Sequence, residues 1–286
     1  MAHGKSIHIF LIEGEPSGRW MCELSNWNGI AFKIPRSMIP KCSDRVELQK
    51  PGVYFFVGKT EDQYSDKIYI GESECLMDRF YQHKFKGDKE WQDWSDWIVF
   101  TSKDDHLNKA MVRYLEGSLY ELAVKAGRCE VNNAVRPTKS VLSEPDTAEM
   151  EEYLDNLRLI MGTMGYKFLE PSLTKQQKKD SVTYHAKSTK TGYDAKGTIV
   201  EDGFVVFKGS KISDVVADSF KDKAYNALRQ RLIEDGSIKD LVFMKDVLFS
   251  SYSAASSVVM GHNSNGWLDW KDLQGRTIND NLNAEE

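Results

Sequence analysis

The chain is short of cysteine, of long apolar runs and of net positive charge, and each shortage removes a class of protein. Four cysteines, Cys22, Cys42, Cys75 and Cys129, stand among 286 residues with no C-x-x-C spacing and no paired histidines beside them. Neither a zinc site nor a disulfide framework is indicated, and reduced, mostly buried thiols are the reading. No apolar stretch approaches the roughly 18 residues of a membrane-spanning helix. The opening MAHGKSIHIFLIEGE has a short apolar run cut off by Glu13 and Glu15. It reads as a strand rather than a signal peptide and predicts a cytoplasmic protein with no membrane partner. A net charge of −5 and a pI near 5.8 argue against a protein that coats nucleic acid without selectivity, and leave room for a local basic groove. There is no internal repeat.

What is present suits a globular chain. Hydrophobic residues make up 41% and charged residues 28%, enough to bury a core, and the length predicts two or three compact units. Residues 1–45 read as a β-rich extension, with the runs IHIFLI, RWMCELS and IAFKIP broken by glycine- and asparagine-rich turns. Residues 46–140 hold two strongly apolar strands, VYFFV and KIYI, joined by a long polar connection from Gly58 to Asp66, then a third, WIVFT, from Trp97. A helix starting near Ser73 places Leu76 and Phe80 on one face and Arg79 and His83 on another. A second, from about Leu107 to Ala126, sets Glu116 beside Val112, Leu119, Tyr120 and Ala123. A carboxylate at an apolar face requires a partner or a metal.

Further on, residues 141–180 comprise a closing helix through Met150, Leu154, Leu157 and Met161 and a linker, TKQQKKD, at 174–180. Residues 181–213 form a β-hairpin segment turning at Asp202-Gly203, and residues 214–280 a small C-terminal domain with a helix through Val215, Ala224, Leu228 and Leu232. The fold class is α/β in the mixed, α+β sense, with a β-rich and helical C-terminal region.

Two tripeptides lie close together, Gly52-Val53-Tyr54 in PGVYFFVG and Tyr69-Ile70-Gly71 in KIYIGES. Each alone is ordinary strand-and-turn chemistry. Tyr54 and Tyr69 alone fit aromatic packing, Arg79 and His83 a solvated helix face, and Glu116 a buried ion pair. The order is what joins them: both tripeptides, then Arg79 and His83 one turn apart, then Glu116, then Asn133 four residues before Pro137. This set resembles the GIY-YIG nuclease family over roughly Pro51 to Pro137, with Val53 for isoleucine and a spacer between the tripeptides a few residues longer than usual.

The resemblance implies a small, mainly antiparallel central sheet flanked by helices and a metal-dependent endonuclease that hydrolyses DNA phosphodiester bonds. Glu116 would bind Mg²⁺, with Mn²⁺ as a substitute, and Arg79 would hold the scissile phosphate. Tyr54 would orient or deprotonate the attacking water, but a tyrosine pKa of about 10 is too high for an efficient base at neutral pH. His83 is then the acceptor through which the proton leaves. Tyr69 would complete the hydrogen bonds around water and phosphate, and Asn133 would order the backbone. Restriction, defence, mobile-element and repair settings all suit such an enzyme. One such site cuts one strand, so double-strand cleavage would need a homo-oligomer or sequential nicking. The alternative reading is a non-catalytic DNA-binding or regulatory module on the same fold.

Near the C-terminus, FSSYSAASSVVMGHNSNGWLDWKD resembles two related modules, through Ser253-Ala254-Ala255, Gly261, Asn265-Gly266-Trp267 and Trp270. One is a domain of unknown function that often trails GIY-YIG nucleases; the other is the restriction enzyme adenine methylase associated domain. Physically, Ser251 or Ser253 caps a helix through Val259 that Gly261 ends, and Asn265-Gly266 turns the chain. At least one of Trp267 and Trp270 is expected in the core. The other, with Asn263, Ser264 and Lys271, would form a polar-aromatic rim able to meet a base. The lysines from Lys175 to Lys196 read equally as a solvated linker or as phosphate contacts.

Overall fold

The computed structural model describes residues 4–60, 66–85, 94–171, 181–221 and 223–283, with backbone alone for 83–85. The predicted linker at 174–180 lies outside the described residues. The fold is mixed α+β and divides into two compact units, Met1–Glu170 and Pro171–Glu286. Among the described residues no helix is long and apolar enough to cross a membrane.

The first unit is built on seven strands: β1 (Ile7–Leu11), β2 (Trp20–Leu24), β3 (Gly29–Pro35), β4 (Gly52–Lys59), β5 (Asp66–Ser73), β6 (Trp94–Ser102) and β7 (Glu130–Val131). They pair in the order β1-β2-β3-β6-β4-β5-β7, so the residues read as a leader at 1–45 contribute three strands to this same sheet. Every pairing is antiparallel except β5 with β7, a parallel match of two residues. β4 is central and, apart from its last residue, buried along its length, which is why its sequence is continuously apolar rather than alternating.

Period-two alternation sends Val53, Phe55 and Val57 to one face and Tyr54 and Phe56 to the other. The first face is covered by α2 (Lys109–Ala126) and α3 (Glu144–Thr163), the second by α1 (Leu76–Phe85) and two 3-10 segments, Arg36–Cys42 and Val46–Gln49. Asn108 caps α2 by accepting from the Ala110 and Met111 amides, and Gly127 closes it in the left-handed region at φ 64°. Ser143 caps α3, and caps of this kind are worth about 1 kcal/mol each. α1 begins three residues later than the apolar spacing indicates. Ser73 remains in β5, and its hydroxyl accepts the Cys75 amide at 3.1 Å, so it turns the chain instead of propagating a helix.

The second unit carries the sheet β13-β10-β9-β8, from β8 (Tyr184–Lys187), β9 (Asp194–Val200), β10 (Gly203–Val206) and β13 (Val247–Phe249), and a small hairpin of β11 (Ile238–Lys239) and β12 (Val242–Phe243). Its helices are α4 (Ala224–Glu234), α5 (Tyr252–Met260), α6 (Gly266–Asp269) and α7 (Ile278–Asn283). One core runs from Tyr184 through Phe204, Val258 and Trp270 to Ile278, so the β-hairpin segment and the helices after it bury the same apolar side. Val215 does not join α4. It is exposed in irregular chain, where the Ser213 hydroxyl accepts its amide at 3.1 Å and donates to its carbonyl at 2.9 Å, a local alternative to helix.

Candidate active site

The two tripeptides meet across one strand pair. Tyr54 in β4 lies directly opposite Gly71 in β5, and Phe56 opposite Tyr69. The Tyr54 ring occupies the space above Gly71 so closely that a Cβ there would fall 2.4 Å from the Tyr54 hydroxyl oxygen. Gly52 is confined in the same way: a Cβ would lie 2.4 Å from the Phe100 carbonyl oxygen in β6. Both glycines are therefore demanded by contact with a neighbour. Gly71→Ala is expected to push the Tyr54 ring off its seat and cost about 2–3 kcal/mol, the usual penalty of overpacking a core. Urea unfolding of the full chain, read on a first-unit tryptophan such as Trp97, measures this.

Packing the Tyr54 ring on Gly71 brings Tyr54 and Tyr69 side by side, with centroids 6.1 Å apart, and presents both to α1. There Arg79 donates from Nε to the Tyr54 hydroxyl at 3.2 Å and from Nη1 to Gln82 at 3.2 Å. Tyr54 is 1% exposed. Burial, then the neighbouring Tyr69, push its hydroxyl above the ordinary tyrosine range, and Arg79 only partly opposes them. The geometry therefore suits Tyr54 to positioning Arg79 more than to taking a proton. Tyr69 is half-buried and reaches an open pocket of about 490 Å³.

Glu116 lines that pocket from α2, with Glu72, Lys109, Arg113 and Asn133 around it. Its carboxyl is pushed up to about 7, first by burial and then by Glu72, against the opposing charges of Arg113, Lys109 and Arg79. It makes no hydrogen bond or ion pair among the described residues. Glu72, in contrast, is bound to Lys109 at 2.9 Å. The next helix residue, Gly117, lets the returning chain lie against α2. A Cβ at Gly117 would come within 2.6 Å of the Lys139 side chain and 3.1 Å of its amide nitrogen. That return, with Arg136 and Pro137, forms the far wall.

Asn133 holds the sheet edge. Its side-chain oxygen accepts the Ile70 amide at 3.1 Å and its nitrogen donates to the Ile70 carbonyl at 2.7 Å. The side-chain amide thereby extends the parallel ladder beyond the point where β7 stops, next to the Tyr-Ile-Gly strand. Tyr69, Glu116 and Asn133 thus share one opening, while Arg79 is in electrostatic reach of Glu116 and fixed to Tyr54. His83 belongs to α1 one turn after Arg79, and its side chain lies outside the described residues.

Glu72, Lys109 and Arg113 were not singled out by the sequence reading. Their signals were present: Glu72 extends the face of Ile68 and Ile70 at period two, and Lys109, Arg113 and Glu116 form one stripe of α2. Among the described residues no cluster of three or more His, Cys, Asp or Glu side chains is arranged to hold a metal. The donor set is instead a free carboxylate with a second carboxylate nearby, hard oxygen ligands that suit Mg²⁺ or Mn²⁺ held largely through water.

In the second unit, Ser251 caps α5 by accepting the Ala254 amide at 3.1 Å, and Gly261 ends it at φ 74°. Trp270 is fully buried, its ring centroid 4.5 Å from that of Phe204. Trp267 is 44% exposed, edge-on to Tyr252, with Asn263 and Ser264 in the segment that leads to it. Residues 184–282 match the family described as a domain of unknown function, DUF4357. No curated protein and no solved structure matches the chain.

Proposed function

We propose that the first unit is a divalent-cation-dependent endonuclease that hydrolyses DNA phosphodiester bonds through a GIY-YIG-type site. The observation that carries this reading is an unpartnered Glu116 on the wall of one pocket, its carboxyl pushed up to about 7, within electrostatic reach of an Arg79 that Tyr54 fixes. A carboxyl raised by burial and by a neighbouring carboxylate is relieved by a cation, and the same opening offers guanidinium and ammonium charge to an anion.

In this reading Glu116 would hold Mg²⁺ or Mn²⁺, assisted by Glu72, and such a cation supplies Lewis-acid stabilisation of phosphate charge. Arg79 binds the scissile phosphate and neutralises charge that grows as the bond to the leaving oxygen breaks. The Tyr69 side chain, which lines the pocket, orients the attacking water. His83, one turn after Arg79, takes the proton as water adds to phosphorus. Tyr54 and Asn133 position the others, through Arg79 and through the β5 backbone.

Incubating the full chain with supercoiled plasmid, with and without Mg²⁺ or Mn²⁺, tests the assignment. Nicking or linearisation that requires metal is the expected result. DNA binding without any cutting of unmodified, methylated or branched duplexes would replace the enzyme with a binding module.

A further inference from the structure

We propose that one face of the second unit's sheet is a DNA-backbone contact surface, built from Lys187, Lys196, Lys211 and Lys271 around His185. The inference takes its choice of polyanion from the nuclease reading and its location from the strand register. Tyr184, Ala186 and Ala195 face the core, so His185, Lys187, Asp194 and Lys196 face outward. His185 pairs with Lys196 on one side and, through hydrogen bonds of 2.7 and 3.0 Å, with Lys271 on the other. Directly opposed residues in an antiparallel pair share a face, so Lys196, His185 and Lys271 form one row, with strand steps of about 4.8 Å.

A second row lies two residues along, where Lys187 opposes Asp194 and Asp194 opposes Lys211. All four lysines are exposed and His185 is half-buried. Lys187 is bound to Asp194 at 2.6 Å. Lys196, Lys211 and Lys271 make no ion pair among the described residues, although Asp269 acts on Lys271 from α6. Asp194 is held below the ordinary carboxylate range by its bond to Lys187 and by the charges of Lys187 and Lys196, as their placement beside it requires.

The patch therefore carries a formal +3 from its lysines and Asp194 in a chain whose net charge is −5. Concentrating positive charge on a sheet face in an acidic protein favours one kind of partner, an extended polyanion with regularly spaced charge. Lysines act as point charges without a planar fork, so the surface grips phosphate and leaves base reading to other groups. Its residues come from four separate stretches of sequence. Only Lys187 and Lys196 fall in the run that the sequence marked as basic.

The test is fluorescence anisotropy of the full chain with a short labelled DNA duplex in EDTA, titrated over salt concentration. For the triple variant Lys196→Ala, Lys211→Ala, Lys271→Ala, affinity at low salt is expected to fall about tenfold or more, and the slope of log K against log salt to shrink by about 2.7. Lys223→Ala and Lys245→Ala together, exposed lysines of the same unit outside both rows, should leave both quantities unchanged. Asp194→Asn should bind more tightly, a gain that misfolding does not mimic. Weakened binding of single-stranded DNA by the triple variant, with a smaller slope change of about 0.7 per lysine, also supports a backbone contact. Wild-type affinity and slope in the triple variant would overturn the inference, as would binding to phosphatidylserine vesicles but not to DNA. Because EDTA excludes cutting, loss of the nuclease reading would show only as inert plasmid with metal present and would leave this binding result standing.

Discussion

Glutamine in place of Glu116 is expected to abolish metal-dependent cutting, by about a thousandfold or more, while making the first unit more stable at high pH. The two effects share one cause. In the unfolded chain this carboxyl titrates near its ordinary 4.5; in the folded chain burial and Glu72 push it up to about 7. The folded state therefore holds the proton more tightly. Below pH 4.5 the carboxyl is neutral in both states and costs nothing; between about 4.5 and 7 stability falls as pH rises, and above 7 the full cost of the buried charge is present. After allowance for solvent screening of a half-open group, that cost is roughly 1–2 kcal/mol. Glu116→Gln removes it, so thermal melts should show a rise of about 2–8 °C at pH 8 and none at pH 4.5. A cation gathers the same free energy on binding. At limiting Mg²⁺, cutting by the natural protein should rise with pH through about 7 and flatten above it, because the proton must leave before metal binds. A variant that still cuts with metal would remove Glu116 from the chemistry.

Arg79→Ala should lower the single-turnover cutting rate by about 10³ while leaving duplex affinity within a fewfold. The distinction matters because Lys109, Arg113 and Arg136 line the opening and Arg79 acts on Glu116 beside it, so affinity is shared among several cations. What only Arg79 has is the Nε contact to Tyr54, which fixes the plane of its guanidinium. Arg79→Lys keeps the charge and loses that plane, so it should recover little activity. Tyr54→Phe retains the ring that packs over Gly71 and deletes only the hydroxyl. A rate loss with unchanged melting temperature would place Tyr54 in support of Arg79; an unaffected rate would sink that role.

Much of the fold was legible in the sequence. β4 is apolar without alternation because helices cover both of its faces, and such a run is conspicuous in sequence. The mixed α+β class follows from the same reading. Glu72 continues the face of Ile68 and Ile70, but a carboxylate at a strand end also reads as a solvent-facing terminus, so the pattern alone does not mark it. Only the arrival of α2 turns it into the neighbour that raises Glu116. The seven-stranded breadth of the sheet escaped for a related reason. β3 joins β6, a partner some 65 residues later in the chain by the register Lys33 to Ile98, and sequence pattern does not encode such a long-range pairing. Lys211 and Lys271 show the same blindness to register, since no local run marks them as neighbours of Lys187 and Lys196.

The β4–β5 ladder closes at Lys59 opposite Asp66, an ion pair of 2.7 Å, whereas Tyr54 opposite Gly71 lies five residue pairs away. At about 3.4 Å per residue, roughly 17 Å of regular sheet separates the chain connection from the tyrosines. Extra residues between Lys59 and Asp66 therefore need not disturb the Tyr54–Gly71 match, and a spacer longer than usual is no obstacle to the chemistry proposed beyond it. The same separation makes that connection a practical port for a genetically inserted epitope or fluorophore tag, a handle on the working protein placed where the Tyr54–Gly71 register does not feel it.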